Sequence, residues 1–503
     1  MKSIWLEGVN IPQEKELNEN KKAEVCVIGG GIFGLATAYL LTKQGLSVIL
    51  LERDKIGAKV SAYTTAKITS QHGLIYHYLE KQYGLNYAKK YFEANERAIH
   101  DIQQIIEDNS IECDFERKNS YVYTTFLDEK EKIQEEIQAL QRINPEAKEV
   151  EKLDLPFEII RAIEFPNQAQ MHPVKYMKAL KEKIIEQKGE IFCHTTCLKI
   201  EKQDKEYICH TEKAKVTAQY VVIATHYPFI NFPGIYFSKI YQSSSYVIGA
   251  EINQKLPKGM YINVCSPIYS IRTANIEGKP FLLLGGGDHK TGEEVSYKSS
   301  YGKLEEKIKD WYPGAKVKYR YSTRDCITLD KIPYIGEFSH LLPNVFVGTG
   351  FNKWGMTSSH VAARLISDKI RKQKNEYEEI FTATRVNPIV NIDEVKNMVS
   401  QTAKSLVVDK IKQETKSLED IKNDEGGIVE IQGSKVGIYK DKTGKIYAID
   451  PICTHLGCLL SWNDADKTWD CPCHGSRFDY TGKNLYNPAL KDLKIKEITG
   501  KEK

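Results

Sequence analysis

No stretch of about 18 consecutive apolar residues occurs in the 503-residue chain, so no membrane-spanning helix is expected. A basic block is missing too. Lys and Arg number 71 against 67 Asp and Glu, and the net charge of +4 is spread along the chain, which leaves no footprint for nucleic acid. Residues 1–10 lack the apolar core of about 7 to 15 residues that a secretory signal needs, so a cytoplasmic location is expected. Internal repeats and low-complexity tracts are also missing, which argues against solenoid and disordered classes. What is present is a globular composition, 41% hydrophobic and 27% charged, with length for about three domains of roughly 150 residues.

Cysteine is unevenly placed. Of eleven, Cys26, Cys113, Cys193, Cys197, Cys209, Cys265 and Cys326 are scattered, whereas Cys453, Cys458, Cys471 and Cys473 crowd together. In a reducing compartment such a cluster suggests metal before a disulfide framework. Residues 1–22 read as a polar lead-in. A buried strand over 24–28 runs into Gly29-Gly-Gly31, and a helix follows with Ile32, Phe33, Leu35, Ala36, Tyr39 and Leu40 at helical spacing. Gly45 stops it before a second strand over 46–51. Helical stretches at 88–109, 129–143 and 174–188 then alternate with strand-like runs at 220–224, 240–252 and 281–284, an α/β core with an inserted mixed sheet. The pattern breaks at 386–392, and apolar residues at helical spacing over 393–412 suggest a linker helix. Short strands at 427–440, 445–450 and 469–470, punctuated by Gly, Asn and Asp, suggest a small all-β domain. The expected division is therefore 1–22, 23–385, 386–412 and 413–503.

Gly29-Gly-Gly31-Ile-Phe-Gly34 satisfies G-x-G-x-x-G with a strand before it, a helix after it, and Glu52 at the end of the next strand. Gly29 allows the tight turn, Gly31 lets backbone approach a pyrophosphate, and Gly34 allows close helix packing. Glu52 can accept hydrogen bonds from ribose hydroxyls. FAD and NAD share this fingerprint. Glu52-Arg53 with Gly57, Ser61 and Thr64-Thr65-Ala66-Lys67 resembles the flavin-binding stretch of the D-amino acid oxidase family, and Val221-Val-Ile-Ala-Thr225 resembles its second nucleotide-contacting strand. Asp330-Lys-Ile-Pro-Tyr-Ile-Gly336 and Gly348-Thr-Gly-Phe-Asn-Lys-Trp-Gly-Met-Thr357 resemble its final strand and the loop beneath the flavin ring.

The resemblance spans about residues 20–372. It implies a Rossmann-like FAD-binding domain with an inserted α+β substrate domain, and FAD contacts from Gly29, Gly31, Gly34, Glu52, Arg53, Ser61, Thr64, Thr65, Thr225, Gly350, Gly355, Met356 and Thr357. Lys353-Trp354 stands where amino-acid-oxidising relatives often carry Gly-His, and Thr357 where some carry a basic residue for a substrate carboxylate. Lys353, His226 and Arg272 are the candidates for catalysis, Arg272 as a partner for an anionic substrate or as an ordinary surface or ion-pair arginine. Two motifs are set aside. Gly285-Gly-Gly-Asp-His-Lys-Thr291 lacks the Gly-Lys-Ser/Thr of a phosphate loop and reads as a strand-end turn; His72 and His77 have iron-ligand spacing without the accompanying carboxylate.

Cys453-Thr-His455-Leu-Gly-Cys458 and Cys471-Pro-Cys-His474-Gly-Ser476 together offer thiolates and imidazoles that could hold zinc, or two Cys on one iron and two His on another. Both boxes resemble the Rieske 2Fe-2S family. The resemblance implies Cys453, His455, Cys471 and His474 as cluster ligands, a disulfide between Cys458 and Cys473, and a hydrogen bond from Ser476 to a cluster sulfur. Phe478 stands where high-potential members have Tyr, so a potential below the top of the Rieske range of about −150 to +300 mV is expected.

The combined expectation is an FAD-dependent dehydrogenase acting on a C–N bond of an amine or an amino or imino acid. Its electrons would leave through the Rieske cluster to an acceptor that is a protein, a quinone or a small molecule. Oxidation of an alcohol or 2-hydroxy acid, and a non-catalytic electron carrier or redox sensor, are the alternatives.

Overall fold

The structure is a computed structural model and describes residues 2–293, 295–385 and 415–497. The expected linker helix over 386–412 lies outside the described residues. Among them, the strands form four sheets.

The first is a mixed sheet whose centre is parallel. Lys21–Ile28 pairs in parallel with Val48–Leu51 on one side and with Lys215–Ile223 on the other, and the latter pairs in parallel with Val345–Thr349. Both faces of this centre are covered, so its strands read as continuous apolar runs rather than alternating ones. The helix Ile32–Lys43 is apolar nearly all round because it is sandwiched against Pro173–Glu186 and Gly355–Ile370 as well as the sheet. This brings the starts of two helices, at Ile32 and Gly355, to the carboxyl ends of the parallel strands, where open α/β sheets bind ligands. The second sheet has nine strands. Its long antiparallel core is Lys316–Thr328, Ile240–Glu251, Lys279–Lys290 and Tyr269–Ile276, in that order. This is the inserted mixed sheet, and it forms the roof over the ends of the first.

The lead-in, read as polar, is packed over its described residues 2–22. Ile4, Trp5 and Leu17 are fully buried, and the Trp5 indole N–H donates to the Thr64 carbonyl at 2.7 Å. Isolated apolar residues without periodicity carry no signal of this packing in sequence. The glycine-rich run at 285–291 is likewise not a strand-end turn: its first six residues continue the Lys279–Lys290 strand. A Cβ on Gly286 would lie 2.6 Å from the Ile268 carbonyl oxygen, so close approach of neighbouring backbone explains a glycine there.

The C-terminal unit has a three-stranded sheet, Glu425–Ile431, Ser434–Lys440 and Ile446–Ile449, and a four-stranded sheet from Ser461–Asn463 to Asn484–Tyr486. Fully buried Trp469 fills its centre. No helix among the described residues is long and apolar enough to cross a membrane.

Candidate functional site

A cavity of about 620 Å³ runs from the glycine fingerprint to the underside of the second sheet. At its nucleotide end the Gly30 N–H donates to Glu52 Oε2 at 2.6 Å and the Asp54 N–H to Glu52 Oε1 at 2.7 Å. Burial pushes the Glu52 carboxyl above its usual range, and these two backbone bonds oppose the shift. Gly29, Gly31, Glu52, Arg53, Ser61, Thr64, Thr65, Thr225, Gly355 and Met356 all border the cavity. Gly34, Gly350 and Thr357 do not border it. Gly34 lets the helix close on the strand, Gly350 with φ +70° packs on Thr328, and Thr357 donates to the Thr69 carbonyl at 3.1 Å.

The three candidates for catalysis separate. His226 lines the cavity, its buried Nε2 has no hydrogen-bond partner, and burial lowers its pKa to about 4. Lys353 also lines it but is paired with Asp288 at 2.6 Å. Arg272 does not reach the cavity. It is 2% exposed, and its guanidinium donates to the carbonyls of Thr65, Ala66 and Thr273 at 2.8 to 2.9 Å while lying over the Trp5 ring. Its Nη1 clamps the Thr65–Ala66 segment from behind, and the guanidinium lies away from the cavity in which an anionic substrate would bind. Arg272→Met should therefore lower stability by about 2 to 4 kcal/mol and weaken cofactor retention. Denaturation melts and flavin titration check this; unchanged stability with altered discrimination between anionic and neutral substrates would restore the substrate role.

Sequence reasoning missed several cavity residues: Asp288, Asp325, and Tyr486, Asn487 and Leu490 from the C-terminal unit; His72, set aside as a metal ligand, also borders the cavity. His72 is held by the Tyr91 hydroxyl and the Thr69 carbonyl, both at 2.8 Å, and stacks on Trp354. His77 faces Glu135 instead, so the two histidines do not converge.

The two Cys–His loops are near copies. The Cys453 N–H donates to the Cys458 carbonyl at 2.8 Å and the Gly457 N–H to the Cys453 carbonyl at 2.9 Å. In the second loop Cys471, Ser476 and Gly475 make the same two bonds at the same distances. Gly457 and Gly475, with φ of +79° and +78°, supply the left-handed turn that closes each loop. The Cys453 and Cys471 thiols share a hydrogen bond that draws Cys453 down to about 7 and Cys471 up, and the His455 and His474 rings lie 5.1 Å apart. Both His Nδ1 atoms are buried without a partner. His455 Nε2 lies 3.0 Å from Asn231 Oδ1, an acceptor, so Nε2 carries the proton and Nδ1 keeps its lone pair. Two thiols and two imidazoles with unpartnered Nδ1 fit a mixed Cys₂His₂ iron-sulfur centre. Cys458 and Cys473 are joined in a disulfide, so although their sulfurs lie within 4.8 Å of Cys471 Sγ they offer no thiolate.

This second site is docked on the first. Gln242 donates to the carbonyls of His474 and Asn487, both at 3.0 Å, and Arg53 donates to Asn484, Leu485 and Asn487. Arg53, expected at the nucleotide, thus also ties the C-terminal unit to the cavity. Phe237 meets the His474 ring edge-on at 5.9 Å. The imidazole side of the candidate cluster faces the domain that holds the cavity.

Comparison with known proteins agrees with both halves. Residues 24–369 match the model of the FAD dependent oxidoreductase family and residues 412–497 that of the Rieske [2Fe-2S] domain. A protein of Bacillus subtilis strain 168, YhfW, named as a Rieske 2Fe-2S iron-sulfur protein, is 37% identical over 98% of this chain and 97% of its own. Gamma-glutamylputrescine oxidoreductase of Escherichia coli is 22% identical over 72% of this chain and 87% of its own. Among solved structures, glycine oxidase from Geobacillus kaustophilus superposes with a TM-score of 0.62 at 16% identity, over 73% of this chain and all of that one.

Proposed function

Because the chain belongs to the FAD dependent oxidoreductase family and carries a Rieske [2Fe-2S] domain, we propose that it is a dehydrogenase of a C–N bond whose electrons leave through the Rieske cluster. FAD supplies the two-electron acceptor for substrate oxidation, and the 2Fe-2S centre a one-electron outlet. The observation that carries the proposal is the docking: the candidate cluster loops are hydrogen-bonded to the domain that forms the cavity through Gln242 and Asn231, and Arg53 holds the Asn484–Asn487 segment of the same unit. The C–N assignment draws on the relatives named for glycine and for gamma-glutamylputrescine.

In this reading Glu52 holds the ribose hydroxyls, and the backbone at Gly29 and Gly31 approaches the pyrophosphate. The segment Ser61 to Thr65 and the start of the Gly355–Ile370 helix border the rest of the cofactor. The helix start places positive partial charge where electrons accumulate. His226 Nε2 has room for one hydrogen bond to the bound molecules. Cys453 and Cys471 bind one iron, and His455 and His474 the other through Nδ1. The Ser476 hydroxyl, which accepts from the Ala489 N–H at 3.0 Å, is spent on Cys453 Sγ. Tyr486, Asn487 and Leu490 line the cavity, so the domain that receives the electrons also forms part of its wall.

His474→Ser tests the outlet. Anaerobic substrate should still bleach the flavin of this variant at the parent rate, while the reduced-cluster electron spin resonance signal is lost. Turnover with a one-electron dye that docks at the cluster should fall by at least about 10-fold. Parent-rate turnover with the physiological acceptor would mean the cluster is structural.

A further inference from the structure

We propose that Asp325 recognises the substrate's amino group as an ammonium, and that the substrate is accordingly an amine without a carboxylate on the reacting carbon. The proposal rests on the C–N reading above and narrows it to a class.

Asp325 lies in the Lys316–Thr328 strand, where side chains alternate between faces. Thr323 and Asp325 border the cavity, while Arg324 between them turns to Asp466 of the Rieske domain. The Asp325 carboxylate makes no hydrogen bond and no ion pair with any described residue. Burial raises it to about 6; Lys353 opposes this and Asp288 adds to it. Once bound molecules displace water from the cavity, a carboxylate without a protein partner is costly unless a cation arrives with them. The nearest candidate inside the protein is not available, because Lys353 is held by Asp288 at 2.6 Å. That end of the cavity therefore holds two carboxylates against one ammonium.

A substrate carboxylate finds less. Arg272 does not border the cavity, and Arg324 faces the other domain. Of the cations that do border it, Arg53 is bonded to Asn484, Leu485 and Asn487, Lys59 is paired with Asp54 at 3.3 Å, and Lys331 lies over the Tyr78 ring at 4.5 Å. Lys67 borders the cavity, but burial holds it well below its usual pKa and it donates to the Tyr261 carbonyl at 2.6 Å. The geometry at Asp325 is fixed: the Asn352 N–H donates to the Cys326 carbonyl at 3.1 Å, and Asn352 Oδ1 accepts from the Thr328 N–H at 2.8 Å. The loop bearing Lys353 is thereby pinned to the strand bearing Asp325. Asp325 also gives the bound ammonium a destination for one proton. One N–H bond breaks and one carboxyl O–H bond forms, no electrons move, and the amine is left with the lone pair that C–N oxidation requires.

The test uses FAD-loaded full-length protein, anaerobically and at constant ionic strength. Straight-chain primary amines and diamines are titrated in pairs with the α-amino acids that carry one carboxylate more, such as putrescine with ornithine and butylamine with norvaline. Perturbation of the flavin absorbance reports binding, and bleaching reports oxidation. The amine of a pair is expected to bind at least about 10-fold more tightly than its amino acid. Asp325→Asn should raise the amine dissociation constant by about 100-fold at parental FAD content, and Asp325→Glu should recover part of it. Preference for the amino acids in the parent protein would overturn the proposal and leave the C–N reading standing, a comparison that needs no variant to fold. Parent-like amine binding by Asp325→Asn would also overturn it. If no member of any pair binds or bleaches a flavin that dithionite reduces, the C–N reading falls with it.

Discussion

Asp466→Ala should cost about 3 to 5 kcal/mol of folding stability and slow electron arrival at the cluster, although Asp466 touches neither the cavity nor the candidate cluster ligands. Its carboxylate collects donors from both domains: Arg324 Nη2 at 3.0 Å, Ser322 Oγ at 2.6 Å and Tyr301 OH at 3.2 Å from the oxidoreductase side, and Arg477 Nη2 at 2.7 Å from its own. The side chains of Arg324 and Asp466 are 1% and 9% exposed, so removal of the carboxylate strands a guanidinium that cannot reach water. Arg477 keeps Asp470 at 2.8 Å; Arg324 keeps no carboxylate at contact distance among the described residues. A buried ion pair is a weak source of net stability, and the expectation follows from breaking it. The double replacement Arg324→Met with Asp466→Leu should accordingly recover most of the loss. Thermal melts followed by flavin fluorescence measure the first effect. Freeze-quenched spin resonance after flavin reduction measures the second, with at least about a 10-fold slowing expected as the domains separate. A single variant within about 1 kcal/mol of the parent would mean that this contact does not hold the domains together.

The fingerprint and the two Cys–His boxes are legible in sequence because their chemistry is enforced by neighbours in the chain. Gly29 and Gly31 are placed by a single turn, and each cluster loop closes on itself through a Cys N–H and a Gly N–H only a few residues apart. The cavity's acidic end is not legible, since sheet register assembles it. Asp288 enters through a bulge opposite Ser244 and Tyr246, inside a run whose glycines look like a turn when read locally. Asp325 is one polar residue in a polar stretch until its pairing with Ser243 turns it inward. The interdomain lock is more remote still, with Arg324 and Asp466 separated by 142 positions. Arg272 is illegible in another way: a lone arginine after a strand can be read as a substrate anchor or as a surface or ion-pair residue, whereas it is buried and bonded to carbonyls, that of its neighbour Thr273 and those of Thr65 and Ala66 about 200 positions away. Charge in sequence reports what a residue can pair with, and tertiary contacts decide with what.

Two glycines three positions apart should respond to the same added methyl group in opposite ways. At Gly34 a Cβ would lie 1.9 Å from the Gly29 carbonyl oxygen and 3.0 Å from its carbon, both backbone atoms of the strand's last turn, so no side chain can move aside. The helix would have to lift from the strand it packs on. Gly34→Ala should therefore cost about 3 to 5 kcal/mol even without cofactor, and FAD content should drop below about a tenth of the parent's. At Gly31 the Cβ meets only Ser61 Oγ at 3.0 Å, a hydroxyl that can rotate, and φ of −77° suits any residue. The folded chain should tolerate Gly31→Ala within about 1 kcal/mol. The methyl would stand where the pyrophosphate must approach the helix start, so FAD affinity should fall by at least about 100-fold while iron per chain stays at the parent level. Denaturation of cofactor-free protein, with flavin and iron assays on the same preparations, separates the two. Gly31→Ala with full flavin content would remove the pyrophosphate from this turn, and a Gly34→Ala chain as stable as the parent would show that the helix does not depend on that close contact.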